Sequence, residues 1–101
     1  MAQPPYNSTV GLSYNHISNA GTTLVKGNPG LLGTVFVNGG TAGATATMFD
    51  QATTVTGTIE IGAITLTGTT FPLAPLPYDL TLKNGLAIVT TGGIDLTVTF
   101  R

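Results

Sequence analysis

Ile94-Asp95-Leu96-Thr97-Val98-Thr99-Phe100-Arg101 alternates an apolar side chain with a polar one at every step. Successive side chains of an extended strand point to opposite faces. The alternation therefore predicts a strand that buries Ile94, Leu96, Val98 and Phe100 and leaves Asp95, Thr97, Thr99 and Arg101 wet. Nowhere does a window of a dozen residues place apolar side chains at i, i+3, i+4 and i+7 without an interrupting Gly or Pro. The chain reads as all-β.

Working back from that strand, Leu80-Thr81-Leu82 and Leu86-Ala87-Ile88-Val89 flank Lys83-Asn84-Gly85. A two-residue turn at Asn84-Gly85 would split the apolar set between two faces. A three-residue loop with Gly85 left-handed gathers Leu80, Leu82, Leu86 and Ile88 on one face, as in the common turn-plus-bulge hairpin. The same logic at Thr91-Gly92-Gly93, with Gly93 left-handed, pairs Ile88 with Leu96 and Leu86 with Val98. Residues 80–100 are thus expected to form a three-stranded meander. Further upstream, Leu31–Val37 reads as a strand turned by Asn38–Gly43, a hairpin loop, into Ala44–Phe49. In Thr56–Thr67, Ile59 and Ile61 lie on one parity and Ile64 and Leu66 on the other, which a bulge at Gly62-Ala63 would reconcile. Thr22–Lys26 is a short strand closed by the turn Gly27-Asn28-Pro29-Gly30.

Seven or eight short strands, with turn signals every ten or so residues, predict an antiparallel β-sandwich of jelly-roll type over residues 13–101. Residues 1–12 are expected to be an extended N-terminal arm, because Pro4 and Pro5 cannot donate to a ladder. Phe71-Pro72-Leu73-Ala74-Pro75-Leu76-Pro77-Tyr78 is too apolar for an idle connection and should be packed. The arm residues Pro4, Pro5 and Tyr6, together with Phe71, Pro72, Leu73, Leu76 and Tyr78, are the candidate interface.

Of the 101 residues, 42% are hydrophobic and only 7% charged, and the formal net charge is −1. Thr fills about a fifth of the positions and Gly another 14. Such a chain is ordered rather than disordered. With Lys26, Lys83 and Arg101 as its only fixed cations, it lacks the basic footprint of a nucleic-acid binder. Few charges also leave the surface without the usual means of keeping monomers apart, which suits a surface covered by partners. The start, Met1-Ala2-Gln3-Pro4-Pro5-Tyr6, does not resemble a secretory signal, and no stretch approaches a membrane helix. On that basis Asn7-Ser8-Thr9 reads as a chance sequon rather than a glycosylation acceptor. There is no cysteine, so disulfides and thiolate zinc sites are excluded.

Catalytic chemistry finds little to work with. His16 is the only histidine, in the polar run Ser13-Tyr14-Asn15-His16-Ile17-Ser18, and no nucleophile elbow accompanies it. The carboxylates Asp50, Glu60, Asp79 and Asp95 are scattered, with no local pair for acid-base work and no calcium ladder around Asp50 or Asp79. Gly39-Gly40-Thr41-Ala42-Gly43 lacks the ending of a phosphate loop, and Pro72-Leu73-Ala74-Pro75 lacks the basic flanks of a polyproline ligand. No catalytic residue, metal or cofactor is expected. Tyr6, Tyr14, Phe71 and Tyr78 could stack sugars, although core or interface packing accounts for them as well.

Three phrases, Val37-Asn38-Gly39-Gly40-Thr41-Ala42-Gly43, Asn84-Gly85-Leu86 and Thr91-Gly92-Gly93-Ile94-Asp95-Leu96-Thr97-Val98-Thr99-Phe100, resemble small virion proteins of tailed bacteriophages. The likeness spans roughly residues 20–101 and rests on turn and strand grammar. It implies a non-enzymatic structural role in the virion, decorating or cementing the capsid or sitting in a neck, tail or fibre. It also implies assembly in the bacterial host cytoplasm as a homo-oligomer, a trimer being favoured, in contact with the major capsid or other virion proteins and with neither nucleic acid nor membrane. The alternative is a receptor- or glycan-binding module of a tail, fibre or head appendage, using loops near Tyr14 and Tyr78.

Overall fold

The computed structural model describes residues 12–53, 59–67 and 75–101. It is all-β, two antiparallel four-stranded sheets packed face to face. The strands are β1 (Ser13–Ile17), β2 (Gly21–Lys26), β3 (Gly30–Gly39), β4 (Thr45–Phe49), β5 (Glu60–Thr65), β6 (Leu76–Leu82), β7 (Leu86–Thr91) and β8 (Asp95–Phe100). One sheet, here sheet A, runs β1-β8-β3-β6, and sheet B runs β2-β7-β4-β5. Apart from Leu12, the N-terminal arm lies outside the described residues, as does Phe71–Ala74 of the proline-rich connection.

The deciding strand follows its alternation except at Phe100, which is half-buried and outside the core cluster. Leu96 and Val98 of β8 are fully buried, and Ile94 just ahead of them is 1% exposed. β8 is central in sheet A, between β1 and β3, so its inward side chains anchor the core from the middle. They meet Ala46 and Met48 of β4 and Leu86 and Ile88 of β7 from sheet B in one continuous apolar cluster. Each aliphatic side chain fully buried there contributes about 1.5–3 kcal/mol by removal of apolar surface from water.

The expected meander over residues 80–100 does not form. β6 pairs with β3, β7 with β2 and β4, and β8 with β1 and β3. The Lys83–Gly85 and Thr91–Gly93 connections therefore cross from one sheet to the other, and Ile88 pairs with Thr23 and Met48 rather than with Leu96. Asn38–Gly43 likewise crosses from β3 in sheet A to β4 in sheet B and is not a hairpin loop. The physical reason is a degeneracy: side chains of period two point at one core whether consecutive strands lie side by side or in facing sheets. The glycine assignments fall with the hairpins. Gly85 is not left-handed; a Cβ there would lie 2.4 Å from the Lys26 carbonyl oxygen and 2.7 Å from that of Gln51, so the position requires close backbone approach. In the next connection Gly92, with φ +71°, takes the left-handed role expected of Gly93.

Two register breaks shape the sheets. In β5 the break places the extra residue at Ile61, because Met48 pairs with Gly62 and Phe49 with Glu60; the bulge precedes the expected Gly62-Ala63 site. Ile64 and Leu66 consequently turn inward, and Ile59 is left 52% exposed. In sheet A, β3 breaks register against both neighbours near Gly33, opposite Asp79, which takes φ +50°. Thr99 bridges this break: its hydroxyl accepts from the Thr34 N–H at 2.7 Å and donates to the Thr34 carbonyl at 3.2 Å. Losing both bonds strands a part-buried backbone pair, so Thr99→Val should lower stability by about 1–2 kcal/mol in urea unfolding.

Candidate interaction surfaces

The sequence-chosen interface residues are not brought together where they can be described. Pro4, Pro5, Tyr6, Phe71, Pro72 and Leu73 lie outside the described residues. Leu76 and Tyr78 are half-buried on β6 and packed against the core. The Tyr78 ring lies against Gly62, and burial pushes its phenol above the usual range. Tyr14 and Tyr78 sit in strands rather than loops, on β1 and β6 at opposite edges of sheet A, so they do not make a joint sugar platform.

The four carboxylates have separate duties. Asp50, 8% exposed, reaches across to the Lys83–Gly85 crossing. It accepts the backbone N–H groups of Lys83 at 3.0 Å, Asn84 at 2.8 Å and Gly85 at 3.2 Å. Burial alone would raise its carboxyl, but the three amides and the nearby Lys83 charge outweigh this and hold it below the usual range. Glu60 is exposed at the start of edge strand β5. Asp79 occupies the β6 bulge, and Asp95 opens β8 on the outer face of sheet A.

Around Asp95 the topology assembles a cluster from three strands. Asn38 of β3 donates its amide to Asp95 Oδ1 at 3.1 Å and to Thr97 Oγ1 at 3.0 Å, and His16 Nε2 of β1 lies 2.6 Å from the same Asp95 oxygen. The Asn38 bond lowers the Asp95 carboxyl; shallow burial opposes it and His16 adds to it. Asn38→Ala should therefore move the Asp95 carboxyl back up toward its ordinary value, read by carbon-detected NMR titration. His16 lacks a serine, threonine or cysteine nucleophile aligned on it among the hydrogen bonds of the described residues, and no group of three His, Cys, Asp or Glu side chains gathers there. The arrangement ties β1, β8 and β3 together on their wet side.

No protein-family model, curated protein or solved structure matches the chain. The geometry of the surfaces has to speak for itself.

An open cleft of about 310 Å³ is lined by Leu12, Leu31, Thr34, Asp79, Thr99 and Arg101. Its Thr34 backbone and Thr99 hydroxyl are already bonded to each other, which leaves the charged Asp79 and Arg101 to orient any small ligand. Leu12, where the described chain begins, forms part of its wall.

The outer face of sheet B is different in kind. Register places Thr91, Thr45 and Thr65 in one outward row, Thr22, Val89, Thr47 and Ala63 in the next, and Leu24, Ala87, Phe49 and Glu60 in the third, Ala87 itself being fully buried. Only Glu60, at the end of its row, is charged. Leu24 is 39% exposed, and Thr45 and Thr91 join through their hydroxyls. The face is a nearly uncharged mosaic of methyl and hydroxyl groups. The sequence already pointed to a weakly charged surface covered by partners, but it could not name this face, because its residues come from four strands.

Proposed function

We propose that this chain is a non-enzymatic virion structural protein of a tailed phage that decorates or cements the capsid through protein–protein contacts. The observation that carries the proposal is the outer face of sheet B, which presents three rows of Thr and apolar side chains with Glu60 as its only charge. Such a face gains by being covered with neighbours that match its methyl groups and hydroxyls. The strand orders β1-β8-β3-β6 and β2-β7-β4-β5 support the reading further. Strand pairs come from opposite ends of the chain and nearly every connection changes sheet, a winding we read as a jelly roll, the architecture of viral capsid and lectin domains. That support is an analogy of fold. The protein acts as a homo-oligomer in contact with capsid or other virion proteins, and its N-terminal arm attaches it to the particle.

The test is co-sedimentation with particles from the cells that make the protein. The full chain should travel with particles after nuclease treatment, and a chain lacking residues 1–10 should stay folded and remain behind. Full-length protein found only at the top of the gradient would contradict the proposal.

A glycan- or receptor-binding role is the second reading, favoured by Tyr14, which is 73% exposed on the same outer face as His16 and Asp95. An exposed ring on the face that also carries a carboxylate and an amide is the chemistry that holds sugars. Glycan-array binding by the purified chain, lost in Tyr14→Ala, would favour it over the cementing role.

A further inference from the structure

Each sheet of a sandwich has two edges whose backbone groups can pair with another chain, and proteins blunt such edges with bulges, prolines or charges. Three of the four edge strands here are blunted. β2 breaks register between Leu24 and Lys26 and ends on the Lys26 charge. β5 contains the bulge at Ile61 and begins on Glu60. β6 holds Pro77 and the Asp79 bulge. β1 differs from all three. Its residues Ser13, Tyr14, Asn15, His16 and Ile17 pair with β8 in unbroken register and include no Pro, Gly, Lys, Arg, Asp or Glu. No described strand pairs with its other side.

The sequence of β1 is also complementary to itself. Two copies running antiparallel about a two-fold axis at Asn15 set Asn15 against its own equivalent, Tyr14 against His16 of the second copy, and Ser13 against Ile17 of the second copy. Tyr14 and His16 share the outer face of sheet A and are exposed there, at 73% and 52%. Each copy thus supplies the ring that covers the other's. On the inner side a small residue meets a large one, and no like fixed charges face each other across the seam.

We propose that the free edge of β1 is the docking site for β1 of a second copy of this chain, joining two sheets A into one continuous antiparallel sheet. The contact is isologous and closed, so it ends with the pair instead of growing into a fibre. It makes the two-fold pair, rather than the three-fold assembly expected from the resemblance, the elementary unit. An edge of five residues buries less than the roughly 1,200–2,000 Å² of a stable interface. Pairing is therefore weak in dilute solution and fills where copies are concentrated.

The chain has no cysteine of its own, so single introduced cysteines report the pairing cleanly. Opposed Cβ atoms in an antiparallel pair lie about 4.5–5.5 Å apart, near the separation a disulfide spans. Under mild oxidation of the full chain, Asn15→Cys should form a disulfide-linked dimer several-fold faster than Tyr14→Cys or His16→Cys alone. Mixing Tyr14→Cys with His16→Cys should restore the fast rate in a mixed dimer; these two side chains are exposed, so neither substitution disturbs the core. Equal rates for all three variants, with no gain on mixing, would overturn the pairing. Co-sedimentation with particles is read separately, so loss of the pairing leaves the particle reading standing.

Discussion

Asp50→Ala should be among the most damaging substitutions in the protein, lowering stability by about 3 kcal/mol or more in urea or thermal unfolding. The carboxylate accepts three consecutive backbone N–H groups, from Lys83, Asn84 and Gly85, and these have no strand to pair with where the chain crosses between sheets. Removing it leaves one buried and two part-buried donors without an acceptor, and a loss of this kind costs about 1–3 kcal/mol where the donor is buried. For a domain of this size the change corresponds to a fall in Tm of more than about 10 °C. Asp50→Asn, which keeps one acceptor oxygen, should fall between. The same contact fixes a pH dependence. Because the folded carboxyl is held below its ordinary value of about 3.8, its contribution is present above that pH and is lost as pH falls through the lower folded value. Asp50→Asn should flatten this acid limb. A variant with unchanged Tm at neutral pH would show that the crossing holds itself without Asp50.

Leu82→Ala and Leu80→Ala should differ sharply, although sequence alternation treats them alike. Leu82 is 1% exposed inside the core cluster, so its truncation opens a cavity and costs about 2–5 kcal/mol. Leu80, on the same edge strand, is 40% exposed and should cost less than about 1 kcal/mol. Urea unfolding midpoints with unchanged m-values would measure both. Equal losses would mean that Leu80 is buried in solution by something the isolated chain does not show.

These contrasts mark where reading the sequence stops. The alternation of Ile94 to Arg101 correctly set Ile94, Leu96 and Val98 inside, although Phe100 is only half-buried, and the turn residues correctly gave a sandwich of short strands. What alternation could not supply was the partner of each strand. Leu82, Leu86 and Ile88 point at the same core in a hairpin and in a crossing between sheets, so local pattern favoured the shorter path. The information that decides it is distant: Asp50 lies 33 to 35 residues from the amides it binds, and Gly85 is needed for the approach of Lys26 and Gln51 rather than for a turn. The surfaces followed the same rule. The cluster of His16, Asn38, Asp95 and Thr97 draws on three strands, and the outer face of sheet B on four. Neither leaves a local motif.

Sedimentation velocity of native particle fractions, comparing the wild-type chain with Thr47→Lys/Val89→Lys, tests the role of the uncharged outer face of sheet B most directly. Both side chains point outward from the middle row of that face but are half-buried and directly opposite each other, so two facing lysines should lower the urea midpoint somewhat, and release is read under conditions where urea unfolding shows the variant folded. The wild-type chain should travel with the high-mass fraction and the variant should be released as free chain. A variant that stays bound as tightly as the wild type, or a wild-type chain that sediments alone at 10.2 kDa, would contradict the account.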